Sequence, residues 1–137
     1  MKHKKIAFVI LIFISGMLFY YNHSLTVAEL EGFPLEKNVE NIEALILGET
    51  GYVEKDLTED KKHLIYSAIS KQEIKPSGFF SDFPIDKKGQ LRIVMYTSKG
   101  EKFIMLLEEG EILVYYNSIK EFRPINNELK KTIISLI

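Results

Sequence analysis

The chain has 137 residues, 27% of them charged and 46% hydrophobic, with a formal net charge of −1 and no cysteine. That length carries one domain and a short extension. The missing thiol excludes disulfides, thiolate metal sites, thiol catalysis and lipid attachment through a lipoprotein cysteine.

The N-terminal stretch, from Ile6 to Tyr21, is uncharged and large-apolar except at Ser15 and Gly16, and three lysines precede it. A basic end followed by an apolar run has the form of an export signal or membrane anchor. Its side chains prefer the bilayer, and a helix satisfies its backbone. Sixteen residues span roughly 24 Å, slightly short of the ~30 Å hydrocarbon core. Tyr20 and Tyr21 suit the headgroup boundary, and Lys4 and Lys5 can snorkel. The lysines place the N-terminus in the cytoplasm and the remainder outside. The reading adopted is an uncleaved single-pass anchor, with the lipid bilayer as partner of residues 6–21. The alternative is secretion after cleavage at Thr26-Val27-Ala28, which would leave Glu29 as the new N-terminus.

From Glu29 onward the chain holds 15 basic and 19 acidic residues, a net −4 that argues against nucleic acid and anionic headgroups as partners. Residues 22–41 read as a linker, mixing charges with Gly32 and Pro34. An α+β domain is expected over residues 42–137. Ile42–Leu47 and Tyr52–Leu57 alternate as strands around the turn Gly48-Glu49-Thr50-Gly51. Thr58 is a good N-cap for a helix over Glu59–Lys71, with Glu59 and Asp60 in its first turn. Leu64, Ile65, Ala68 and Ile69 form its apolar stripe.

Residues 73–90 are irregular, with two prolines, two glycines and three phenylalanines. Connections this long in a compact domain are usually functional or disordered, and the aromatics argue against disorder. Leu91–Ser98, Lys102–Glu108 and Glu111–Asn117 then form a meander through two short glycine turns. Both faces of the meander are apolar. One should pack helices, and the other is partly exposed or covered by the Phe-rich segment. After an irregular stretch ending at Pro124, Asn126 or Asn127 caps a last helix, with Leu129, Ile133, Leu136 and Ile137 on one stripe. The expected order is β-β-α-β-β-β-α: an N-terminal transmembrane helix, then one small antiparallel sheet with helices on one face.

No motif assigns catalytic, cofactor or metal residues. Glu59, His63 and Ser67 share a helix ridge and are the residue types of a hydrolytic triad, but side chains on one ridge do not converge, so a solvated face is expected. Glu108, Glu109 and Glu111 cluster at a turn, and Asp82 and Asp86 flank Phe83-Pro84-Ile85; neither group has calcium-loop spacing. The sharpest feature is the aromatic run Phe79, Phe80, Asp82 and Phe83, a candidate partner-binding loop. Phe33-Pro34 is a weaker candidate of the same kind.

The basic-apolar start Lys2–Tyr21, the capped junction Val53–Lys62, the Tyr96–Glu108 hairpin and the terminal helix together resemble small exported proteins of low-GC Gram-positive bacteria whose function is uncharacterised. The resemblance carries over no functional residues. The function expected is a membrane-anchored extracytoplasmic module, not an enzyme, that binds another envelope protein and uses no cofactor. A wall-associated domain binding a glycan or small molecule on the second apolar face is the alternative, and a hydrolase is a more distant one.

Overall fold

The structure is a computed structural model that describes residues 2–77 and 87–137. The candidate loop Phe79, Phe80, Asp82 and Phe83 lies outside the described residues. The described residues form an α+β fold with three α-helices and one eight-stranded antiparallel sheet.

Helix α1, Lys2–Asn22, is longer than the apolar run because it takes in the flanking lysines; its 21 residues reach about 31 Å. It is long and apolar enough to cross a membrane. Ile6, Phe8, Ile10, Phe13, Phe19 and Tyr20 are all more than half exposed, so the globular part supplies no pocket for this helix.

Only His23 and Ser24 separate α1 from strand β1, Leu25–Thr26. Then come two 3-10 turns, Val27–Glu29 and Glu36–Asn38. They are followed by β2 (Val39–Leu47), β3 (Tyr52–Lys55), α2 (Glu59–Lys71) and β4 (Glu73–Pro76). Past the undescribed segment lie β5 (Leu91–Thr97), β6 (Lys102–Glu108), β7 (Glu111–Tyr116), β8 (Ser118–Pro124) and α3 (Leu129–Leu136). The strand order is β1-β4-β8-β7-β6-β5-β2-β3.

Three strands exceed the five expected, and each was hidden for a physical reason. β1 has two residues, too few to show alternation. β4 ends in Pro76, a residue type confined to sheet edges, strand ends and bulges. β8 follows β7 after Asn117 alone, which takes φ 56° without a glycine to announce the turn. Residues 22–41, read as a linker, contain β1, both 3-10 turns and the start of β2. Val27 is 0% exposed, and its N–H donates to the Gln72 carbonyl at 2.9 Å.

One face of the sheet carries the core. Ile42, Ala44, Ile93, Met95, Phe103, Met105 and Val114 meet Ile65 and Ile69 of α2 and Leu129 and Ile133 of α3. Thr58 caps α2, its Oγ1 accepting from the Lys61 N–H at 3.3 Å. The buried side of α2 centres on Ile65 and Ile69, while Leu64, counted in the apolar stripe, is exposed. At α3 neither asparagine is the N-cap: Glu128 holds that position, and Asn126 accepts from its N–H one turn earlier. On the opposite face Val94, Leu106 and Leu113 are also buried, with Tyr115 half-buried against Leu106 and Leu113.

Candidate functional site

The strap between β1 and β2 is held by aromatic packing. Gly32 has φ 83°, and a Cβ there would stand 2.1 Å from the Tyr116 ring, so only glycine allows this approach. Phe33 stands edge-on to Phe103 at 5.3 Å and tilted against Tyr66 at 5.4 Å between ring centroids. The aromatic side chain singled out in Phe33-Pro34 therefore serves the core, as a half-buried ring packed against it. The Tyr66 hydroxyl donates to the Pro34 carbonyl at 2.7 Å. These contacts fix the turn that follows and leave Leu35 61% exposed at its crest.

Glu36, next in the chain, bonds His63 on α2 through Oε1 and Nδ1. This pair opens a cleft of about 190 Å³ whose polar lining includes Glu36, Glu40, Asn41, Glu59, Lys62 and Tyr66 beside His63. Burial, and then the Glu36 carboxylate, push the Tyr66 phenol above its ordinary value. On the other side of the crest a second cleft, of about 250 Å³, lies between Phe33–Leu35 and Thr97–Lys99. Both fall below the ~300–1,000 Å³ usual for sites that engulf a small molecule.

His63 thus joins a glutamate far away in sequence and not Glu59, which bonds Lys62 at 3.2 Å. Among the described residues no serine or threonine hydroxyl is bonded to His63, and the triad types on the α2 ridge do not converge. The Glu36–His63 pair lies solvent-exposed in this open cleft. Nothing in the sequence pairs residues 36 and 63, because the contact exists only once the strap is folded down.

Of the acidic turn cluster, Glu108 is buried, and its Oε2 accepts from Lys130 Nζ of α3 at 3.2 Å, while Glu109 is exposed. Glu108 therefore ties α3 to the sheet. Among the described residues no cluster of three or more histidine or acidic side chains is arranged to hold a metal ion. Comparison with protein-family models, with curated proteins and with solved structures returns no match.

Proposed function

We propose that the chain is a single-pass, membrane-anchored domain, held outside the cytoplasmic face, that binds another envelope protein. The observation that carries this reading is α1: its apolar side chains are exposed all round, and it runs into the sheet through two residues. Cleavage after Ala28 would remove β1 and draw Val27 out of the core, which favours a retained anchor over a secreted form. The polar cleft at Glu36 and His63 is where the partner binds. It is too small to enclose a ligand, and it is rigid because Phe33, Pro34 and Tyr66 fix its rim.

Fractionation of the native host with intact-mass measurement tests the anchor. Full-length protein in the membrane fraction is expected, and a species starting at Glu29 in the medium would overturn the reading. Capture from crosslinked membranes then tests the cleft. Wild type is expected to retain a defined membrane protein that Glu36→Ala/His63→Ala loses while remaining folded. If instead Phe79/Phe80/Phe83→Ser abolishes capture and the cleft variant does not, the partner binds the aromatic stretch and the cleft assignment is wrong.

A further inference from the structure

The residues before Leu25 continue alongside the residues after its partner Ile74, so α1 leaves the domain beside the C-terminal end of β4, with which it is in contact. The antiparallel order brings to that same end the start of β2, the β5–β6 turn and the β7–β8 turn. The joint is short: from the last helical Cα at Asn22 to the first strand Cα at Leu25 the chain reaches at most about 11 Å. A helix that spans a bilayer therefore holds this end of the sheet at the headgroups.

The surface chemistry of that end matches its position. Leu35 at 61% and Ile119 at 62% are the two most exposed large apolar side chains of the globular part among the described residues. Leu35 crests the strap beside the β5–β6 turn, and Ile119 is the second residue of β8. Around them stand Lys37, Lys99, Lys102 and Lys120, all exposed, interspersed with exposed Glu31, Glu36, Glu40 and Glu101, of which Glu31 pairs with Lys120 at 3.8 Å. Apolar side chains ringed by long cationic ones suit a headgroup boundary, where the former enter the acyl region and the latter reach phosphate. The opposite end carries Glu49, paired with Lys88 at 3.0 Å, and Glu109 at its turns, with no large apolar side chain as exposed as Leu35 and Ile119 among the described residues. We infer that, although the net −4 of the domain as a whole argues against anionic headgroups, the domain lies on the phospholipid surface by this one end, with Leu35 and Ile119 dipping into the interface and the lysines on lipid phosphate. The inference rests on the anchor reading above and adds a second, peripheral contact with the same bilayer.

The absence of native cysteine makes the test direct. The full chain is reconstituted in phosphatidylethanolamine–phosphatidylglycerol vesicles as single-cysteine variants, each carrying a fluorophore: Leu35→Cys, Ile119→Cys, Glu49→Cys, Glu109→Cys and, within α1, Phe13→Cys. Seven residues of β5 separate the two ends of the sheet by about 24 Å. Headgroup-nitroxide lipids are therefore expected to quench positions 35 and 119 several-fold more than 49 and 109, and a flexible Gly-Ser insert after His23 to leave that contrast in place. Equal quenching at the two ends, or loss of the contrast with the insert, would overturn the surface contact while acyl-chain nitroxides still quench position 13. Failure at position 13 would instead overturn the anchor, and the inference with it.

Discussion

The β5–β7 meander and the strap from Leu25 to Asn38 meet in the same core, yet they are built on different terms. In the meander each residue's environment follows from its neighbours. Apolar side chains alternate, Gly100 and Gly110 take positive φ at the turns, and the pairs Ile93–Met105 and Met105–Val114 sit directly across from one another. The strap has no such period. Val27, Phe33 and Tyr66 are brought together only by partners distant in sequence, so each element of the strap depends on a fold already present around it.

Phe103 belongs to the meander and carries Phe33, so Phe103→Ala breaks both regions. A loss of about 3–5 kcal/mol is expected from urea unfolding of the full chain in detergent. Gly32→Ala touches the strap alone. The Tyr116 ring and the positive φ together set a loss of about 2–3 kcal/mol, and a change near zero would show that the strap rearranges freely. Val27→Ala removes two methyl groups from a fully buried site and should cost about 2 kcal/mol; a shift of the urea midpoint at constant slope is the readout.

How much of this was legible follows from the same contrast. The capped helix from Glu59, the two glycine hairpins and the apolar N-terminal helix rest on short-range chemistry and are written in adjacent residues. β1, β4 and β8 rest on pairing between distant segments, and the charged, proline-bearing sequences of β4 and β8 hide it. The cleft fared likewise. His63 stood out as a residue, but its partner Glu36 lay in what reads as a linker, and only the docking of Phe33 brings the two together.

Tyr66→Phe sharpens the comparison more gently, with an expected loss of about 1 kcal/mol for the hydrogen bond to Pro34. It also carries a pH signature. The folded state raises the Tyr66 phenol above its ordinary value, so it holds that proton more tightly than the unfolded chain. The contribution is complete below about pH 10 and is lost as pH rises through the folded-state value. Tyr96, bonded to Glu43, and Tyr116, beside Glu101, are shifted the same way. Urea midpoints should therefore fall on the alkaline side, and less steeply in Tyr66→Phe. His63→Ala is the smallest effect. Its hydrogen bond with Glu36 is solvent-exposed, so stability should change by no more than about 0.5 kcal/mol, and any loss of partner capture then reports binding.

β1 also has a place in time. It pairs with β4, and β4 gains its other neighbour only when β8 has been made. Contacts between segments this far apart in sequence close late, after the local hairpins. The first strand to be synthesised is therefore among the late ones to pair. Until the C-terminal third of the chain has emerged, β4 keeps one edge open.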